Sequence, residues 1–317
     1  MDIETALHLY QQMLLARLFE EKAAELYTQR HIYGYCHLYV GQEAVVVGVA
    51  HNMQKHDSAI TSYRDHAHML TLGVQPKFVM AELCGKSTGS SHGNGGSMHM
   101  YSKEHNFYGG NGIVGAQVPI GVGLAFAHRY RKDNGVAVIF FGDGAANQGQ
   151  VYEAFNMASL WKLPAIFVLE NNHYALGTAE KRAASGENLH TRGDPFGIPT
   201  LLADGMNLFD VLDKAQDAIS HARSGLGPII VHADTYRYKG HSMSDPATYR
   251  SREEVDAMKA RDPIELVKKR LLNDFAVKQT DFLKIEEKTM HVINDAARFA
   301  IESPWPKRSE LERNVLI

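Results

Sequence analysis

The sequence predicts an α/β protein built around a doubly wound, mostly parallel sheet, with N-terminal helices and a C-terminal helical arm. Short apolar runs without polar alternation indicate strands that are buried on both faces. Helical segments separate these runs, an order that produces a parallel sheet. Beyond residue 250 the chain is charged and has helical patterns without a strand pattern. We therefore predict an α/β domain over residues 1–250 and a helical arm over residues 251–317.

Helical periodicity marks the N-terminal region. Tyr10, Leu14 and Leu18 recur at four-residue intervals, as on the buried face of a helix. Pro76 stands where the first turn of a helix accepts proline. The N-terminal helices are predicted over residues 2–30, 42–54 and 76–84.

Buried strands and the helices between them complete the predicted domain. β-branched and aromatic residues dominate the apolar runs, which is typical of strands. The predicted strands are 136–141, 165–169 and 229–231, and the intervening helices are 148–161 and 207–223. In α/β sheets of this type, ligands bind at the carboxyl ends of the strands.

Charge and cysteine content exclude several classes of protein. Lys and Arg number 33 and Asp and Glu 36, so the net charge of −3 disfavours a nucleic-acid or membrane-surface binder. Two cysteines cannot build a disulfide framework and favour a reducing compartment. No apolar run approaches the roughly 18 residues of a membrane span, and the acidic start differs from signal and transit peptides. We expect a cytoplasmic protein of the bacterial type, or a mitochondrial matrix protein only if a transit peptide has been removed.

Residues 85–118 form a glycine-rich stretch with weak helix and strand signals. Connections longer than about 12–15 residues in a compact domain are usually functional or disordered. The histidines and aromatic residues of this stretch argue against disorder. We expect its glycines to let backbone amides approach a ligand closely, or to supply positive φ angles.

The strongest chemical signal is Asp143, which lies between two glycines directly after the predicted strand 136–141. After 26 intervening residues, 145–170, the next strand ends at Asn171 and Asn172, and neighbouring parallel strands bring such turns together. Carboxylate, amide and carbonyl oxygens suit Mg²⁺, and the start of the following helix can receive a diphosphate. The alternative is a tight turn capped by Asp143 with an unrelated asparagine turn. The spacing favours the metal site.

This GDG…NN pattern matches the thiamine-diphosphate motif, and the chain resembles the α subunits of thiamine-diphosphate-dependent 2-oxo acid dehydrogenases, above all the pyruvate type. The likeness runs from about residue 5 to residue 275 and weakens in the C-terminal arm. Several independent long matches make it more specific than one short pattern. The matching segments are 34–44, 62–66, 95–101, 106–119, 142–164, 170–178 and 235–246.

The resemblance implies the residues that hold the cofactor. Asp143 and Asn172 match side-chain ligands of Mg²⁺, and Tyr174 matches a ligand that uses its main-chain carbonyl. Gly144 and Ala145 match positions that contact the diphosphate.

Four further positions complete the implied cofactor site. Tyr63 and Arg64 match a pair that reaches the phosphates, a task for which the arginine fork is well suited. Gly112 and Val114 match main-chain contacts to the aminopyrimidine ring.

Two histidines have implied catalytic roles. His37 matches a residue at the substrate, and His241 matches an active-site loop residue near the phosphates and the reacting carbon. Imidazole transfers protons near neutral pH and stabilises developing negative charge. His66 and His68 could instead form part of a zinc site, a less favoured interpretation.

The implied activity is oxidative decarboxylation of pyruvate, with transfer of the acetyl group to the lipoyl arm of a partner acyltransferase. Thiamine diphosphate supplies the electron sink that loss of CO₂ requires. The glutamate that activates the cofactor comes from a β subunit in this family, so an α₂β₂ heterotetramer is expected. The alternatives are an acetoin or branched-chain 2-oxo acid dehydrogenase α subunit or, in another class, a module that binds metal or nucleotide. No nucleic-acid or membrane partner is expected.

Overall fold

A five-stranded parallel sheet forms the centre of the protein in the computed structural model, which describes residues 1–186, 188–275, 277–310 and 312. The strands of the described residues are β1 Ser58–Ile60, β2 Ala137–Gly142, β3 Ala165–Asn171, β4 Tyr174–Ala175, β5 Thr178–Ala179, β6 Thr200–Asp204 and β7 Ile229–Asp234. The sheet has the order β1-β2-β3-β7-β6, and every neighbouring pair in it is parallel. β4 and β5 form a separate antiparallel pair.

Helices cover both faces of the sheet and continue along the chain as far as Glu302. In the described residues they are α1 Ile3–Thr28, α2 Glu43–His51, α3 His66–Thr71, α4 Pro76–Leu83, α5 Gln117–Arg131, α6 Gly149–Leu160, α7 Glu180–Ala183, α8 Leu208–Arg223, α9 Arg252–Lys259, α10 Pro263–Asp274 and α11 Gln279–Glu302. None of these described helices combines the length and apolarity needed to cross a membrane.

The predicted fold class is confirmed. The three predicted strands correspond to β2, β3 and β7, each extended at its carboxyl end, and the predicted helices correspond to α1, α2, α4, α6 and α8. The prediction missed two strands of the sheet. β1 has only three residues, and β6 lies at the sheet edge, where Leu202 is exposed, so neither contains a long apolar run.

The sheet is doubly wound because alternate residues of each central strand face different helices. In β2, Ile139 and Phe141 pack with residues of α5 and α6 on one face. Val138 and Phe140 pack with residues of α2 and α8 on the other face. Burial on both faces accounts for the continuous apolarity of this strand.

Helix α5 was not predicted because its sequence contains proline and glycine. Pro119 lies in the first turn, where its missing N–H costs nothing. Gly121 lets the helix approach the sheet closely, since a Cβ atom there would lie 2.4 Å from Cγ1 of Ile139. Gly121 would weaken α5 as an isolated helix, but the packing of α5 on the sheet requires it.

The predicted C-terminal arm contains α9, α10 and α11 and no strand among its described residues. Ile293, Ala296 and Ala300 of α11 belong to a buried cluster that also contains Phe19 of α1 and Met80 of α4. The arm thus packs on the N-terminal helices. Residues 311 and 313–317 of the predicted arm lie outside the described residues, and the division of the chain at residue 250 stays a prediction.

Candidate active site

A cavity of about 810 Å³ opens at the carboxyl ends of β2 and β3. Its lining includes every residue that sequence reasoning assigned to the site. These residues are His37, Tyr63, Arg64, Gly112, Val114, Asp143, Gly144, Ala145, Asn172, Tyr174 and His241. They come from loops spread over two hundred residues of sequence, so the fold brings the predicted set together.

Strand register places Asp143 beside the asparagine pair. Gly142 at the end of β2 pairs with Glu170 in β3, so the turn after each strand lies at the same edge of the sheet. The 26-residue spacing contains α6, the crossover helix between the two strands. Asp143 is buried, and burial raises the pKa of its carboxyl to about 6 because the charged form loses water.

The two asparagines have different roles. The Asn171 side chain turns away from the cavity and donates to Glu180 Oε2 at 2.8 Å. The Asn172 side chain lines the cavity, and its Nδ2 donates to Gln42 Oε1 at 3.1 Å. This second bond orients the Asn172 amide.

Tyr174 presents its main chain to the cavity. Its hydroxyl donates to Glu254 Oε2 at 2.9 Å, so the side chain is held by α9. Its carbonyl oxygen and the Asn172 Oδ1 atom both accept from Nη1 of Arg237, each at 3.3 Å. These two oxygens and the Asp143 carboxylate form a donor set suited to Mg²⁺, which usually keeps water or phosphate ligands as well.

Two buried arginines make one side of the cavity positive. Arg64 donates to the carbonyl oxygens of Leu38 at 2.5 Å and His241 at 2.9 Å. Burial, followed by repulsion from Arg237, lowers the pKa of the Arg64 guanidinium to about 10. The Arg64 guanidinium stays charged at neutral pH, and an anion beside the two arginines would relieve their repulsion.

Gly144 and Ala145 lie where the chain turns from β2 toward α6. Ala145 begins a short 3₁₀ turn, and α6 follows at Gly149. A Cβ atom on Gly144 would lie 2.6 Å from Cβ of Ala175, so glycine is required for this turn to pass the β4 strand. A helix N-terminus at this point carries partial positive charge toward the cavity.

His37, Tyr63 and His241 form a group of three rings. The ring centroids lie 4.5 Å apart for His37 and Tyr63, 5.0 Å for the two histidines and 5.5 Å for Tyr63 and His241. Burial, then the neighbouring Arg64, lowers the pKa of His37 to about 2 and that of His241 to about 4. Both imidazoles are therefore neutral at pH 7. Their Nδ1 atoms are buried and find no hydrogen-bond partner among the described residues.

Gly112 and Val114 lie on the segment before α5. Gly112 contacts the side chains of Met98 and His99, where a Cβ atom would come within 3.1 Å of the imidazole. Val114 is partly exposed at the cavity edge, and its carbonyl accepts from Gln150 Nε2 at 3.1 Å.

The zinc interpretation is not supported. His66 Nδ1 lies 2.8 Å from Glu20, whereas the His68 ring packs against Tyr39 and Phe140. Within the described residues, no three His, Cys, Asp or Glu side chains form a group able to hold a metal ion.

Among the polar residues of the cavity that sequence reasoning missed are Gln42, Glu170 and Arg237. Glu170 directly precedes the asparagine pair, and Arg237 belongs to the matching segment 235–246, so a signal for both was present. The Glu170 carboxylate accepts from the Tyr39 hydroxyl, and burial raises the pKa of Glu170 to about 7.

Fold and site together define an α/β enzyme with a positively charged cavity at the carboxyl edge of a parallel sheet, where ligands bind in such folds. The chain belongs to the dehydrogenase E1 component family, whose sequence model matches residues 10–309.

Relatives of the chain are similar over almost its whole length. It is 54% identical to the pyruvate dehydrogenase E1 component subunit alpha of Zymomonas mobilis, over 100% of this chain and 90% of the relative. The protein of the same name from Rhizobium meliloti is 53% identical, over 99% and 90% of the two chains. A mitochondrial protein of that name from Dictyostelium discoideum is 48% identical, over 97% of this chain and 81% of the relative.

Proposed function

We propose that this chain is the α subunit of the thiamine-diphosphate-dependent decarboxylating component of pyruvate dehydrogenase. It is an oxidoreductase that acts on pyruvate and uses the lipoyl disulfide as acceptor. The observation that carries the proposal is the convergence of all eleven predicted site residues on one cavity. Family membership and the two bacterial relatives above 50% identity support the same function.

The residues present fit the cofactor. Asp143, Asn172 and the Tyr174 carbonyl would hold Mg²⁺, because they supply charged and neutral oxygens beside one another. Gly144 and Ala145 would contact the diphosphate at the start of the α6 turn. When bound, thiamine diphosphate supplies the electron sink for decarboxylation of a 2-oxo acid.

The remaining residues bind and orient. Tyr63 and Arg64 would contact the phosphates, a role supported by the buried positive charge of the guanidinium. The main chains of Gly112 and Val114 would contact the aminopyrimidine ring. His37 would contact the substrate, and His241 would act near the phosphates and the reacting carbon. The Nδ1 atoms of the two histidines, which have no partner in the described part of the chain, can bond with bound molecules.

The active site is completed by a β subunit, which supplies the activating glutamate in an α₂β₂ heterotetramer. The rim of the cavity supports such a partner, because Tyr35, Ile113 and Leu176 are 68%, 70% and 62% exposed. Apolar residues grouped at a site edge are typical of protein interfaces. The acetyl group then passes to the lipoyl arm of the acyltransferase. We place the enzyme in the cytoplasm, as its bacterial relatives support.

Co-expression with the candidate β subunit tests the function. The purified complex, supplied with thiamine diphosphate and Mg²⁺, is assayed for reduction of lipoyl groups with pyruvate, a branched-chain 2-oxo acid and acetoin. Pyruvate is expected to be the best substrate, and the α chain alone is expected to be inactive. A complex that prefers acetoin or the branched-chain acid would contradict the proposal.

A further inference from the structure

Ser97, a residue of the glycine-rich stretch 85–118, is buried against the segment that carries His37. Its hydroxyl accepts from the His37 main-chain N–H at 3.3 Å and lies 2.8 Å from Nε2 of His66. We infer that Ser97 is a positioning residue that sets the place of His37 relative to the substrate. The inference rests on the proposed function, in which His37 contacts pyruvate.

The His66 side of Ser97 is held by a buried carboxylate. Glu20 Oε2 lies 2.8 Å from Nδ1 of His66, and both side chains are fully buried. Burial alone would lower the pKa of His66, but the Glu20 carboxylate outweighs it, and the pKa is raised. This hydrogen-bonded pair keeps one geometry in a dry interior, because breaking it leaves a buried polar group without a partner.

Glu20 also binds the other end of the His37 segment. Its Oε1 accepts from the main-chain N–H of Tyr39 at 2.9 Å. The segment is therefore held at two alternate amides, His37 by Ser97 and Tyr39 by Glu20. Removing the Ser97 hydroxyl frees the amide of His37 and leaves Nε2 of His66 with the Ser97 carbonyl oxygen, 3.2 Å away. The amide of Tyr39 stays bound to Glu20.

The loop that carries Ser97 is built around a second buried carboxylate. Glu82 of α4 accepts four main-chain N–H groups, from Ser91 at 2.8 Å, Gly93 at 2.9 Å, Gly95 at 2.7 Å and Gly96 at 3.1 Å. The carboxylate has no solvent exposure. The last of these amides belongs to Gly96, which directly precedes Ser97. Glu82 therefore holds the main chain that carries the Ser97 hydroxyl.

Close packing around Glu82 explains part of the glycine content. A Cβ atom on Gly89 would lie 2.3 Å from Glu82 Oε2, and one on Gly95 would lie 3.3 Å from Oε1. Gly93 and Gly96 have positive φ angles of 80° and 59°. We expected glycines here to approach a ligand, and in this part of the stretch the group that they approach is the chain's own carboxylate.

The position of His37 matters because its ring has close neighbours in the cavity. The ring lies between Tyr63 and His241, at centroid distances of 4.5 and 5.0 Å. Its Nδ1 atom has no partner among the described residues, so neighbouring side chains do not orient it by a hydrogen bond there. The main chain must therefore do much of the orienting.

Ser97→Ala in the αβ complex tests the inference. We expect kcat/KM for pyruvate to fall about tenfold, the upper range for one neutral hydrogen bond. Thiamine diphosphate affinity with Mg²⁺, measured by calorimetry, and the Tm of the complex are expected to stay at the wild-type values. This split separates positioning from a general structural role.

Ser90→Ala is the matched control. Ser90 lies in the same loop, and its buried hydroxyl has no hydrogen-bond partner among the described residues. Its removal is expected to leave kcat/KM unchanged. Ser97→Cys keeps a polar atom of similar size but a weaker hydrogen-bond partner, so an intermediate rate is expected.

Three results would overturn the inference. One is a Ser97→Ala complex as active as the Ser90→Ala complex. Another is a loss of cofactor affinity or Tm in parallel with activity, in both Ser97→Ala and Ser97→Cys. The third is a wild-type complex that does not turn over pyruvate, and only this result also removes the proposed function.

Discussion

Nη1 of Arg237 lies 3.3 Å from Oδ1 of Asn172, so a buried cation binds one of the oxygens assigned to Mg²⁺. The same nitrogen binds the carbonyl of Tyr174, and Nη2 binds that of Leu176 at 3.2 Å. Arg237 therefore shapes the turn after β3 and adds positive charge to the cavity. Sequence reasoning assigned contact with the phosphates to Tyr63 and Arg64 and gave Arg237 no role.

Arg237→Met should weaken thiamine diphosphate binding about tenfold or more, because charge-assisted hydrogen bonds contribute about 1.5–3 kcal/mol each. Calorimetric titration with Mg²⁺ present measures the change. Arg298→Met, an exposed position on α11, is the control and should bind as the wild type does. Equal affinity for all three proteins would exclude a part for Arg237 in the cofactor site.

Asp143→Ala should abolish Mg²⁺-dependent binding of thiamine diphosphate and leave the chain folded. The carboxylate is buried and its pKa is raised to about 6, so its ionisation at neutral pH reduces the free energy of unfolding. Its removal should therefore not unfold the chain. Titration with Mg²⁺ and with a chelator measures binding. Asp217→Ala, exposed on α8, serves as control. Unchanged affinity in Asp143→Ala would refute the metal assignment.

His68→Leu should make the chain less sensitive to acid. Burial lowers the pKa of His68 from 6.5 to about 3, and neither ring nitrogen has a partner among the described residues. The unfolded chain therefore takes up a proton below pH 6.5 that the folded chain does not, and stability falls with falling pH. Between about pH 7.5 and about pH 5.5 this histidine should remove about 1.4 kcal/mol.

Urea unfolding at the two pH values measures this difference. The free energy of unfolding should fall less in His68→Leu than in the wild type, whatever the absolute cost of the substitution. His8→Leu, at an exposed position of α1, should keep the wild-type pH dependence. Parallel curves for the wild type and His68→Leu would show that the buried imidazole does not resist protonation.

Arg223→Met should destabilise the chain without affecting the cofactor. The guanidinium binds Asp57 through Nη2–Oδ2 at 2.6 Å and Nη1–Oδ1 at 3.0 Å, and the Asp57 side chain is fully buried. Loss of one partner from a buried pair costs about 3–5 kcal/mol. Asp57 directly precedes β1, so the pair lies at the amino ends of the strands, whereas the cavity lies at their carboxyl ends. Thiamine diphosphate affinity should therefore not change. Unaltered urea unfolding would contradict the prediction.

The central strands could be predicted because a strand that is buried on both faces has a continuous run of apolar residues in its sequence. β2 and β3 each consist almost entirely of apolar residues, and their pairing follows from one crossover helix. α5 could not be predicted, because the need for glycine at position 121 arises only from its close contact with the Ile139 side chain in the folded protein. Local preference and tertiary packing conflict at that position, and packing decides.

The proposed metal ligands could be predicted for a similar reason. Asp143 and Asn172 follow strands whose spacing brings them together, so chemistry and topology agree. The roles of the histidines, Tyr63 and Arg64 were predicted only from the resemblance. The sequence around a single histidine or arginine does not indicate which groups its side chain contacts. Glu82 had no signal, because its partners are main-chain amides, which every sequence contains. Ser97 belongs to the matching segment 95–101, but the resemblance gave it no role.

The four amides around Glu82 form an anion-binding nest that is filled by the protein itself. The chain entropy of this glycine-rich loop is thus lost when the protein folds, at about 1–2 kcal/mol for each residue. We therefore expect that the binding free energy of the cofactor is not consumed in ordering those residues. The apoenzyme should therefore present Ser97, and with it the His37 segment, already in the arrangement that the substrate meets.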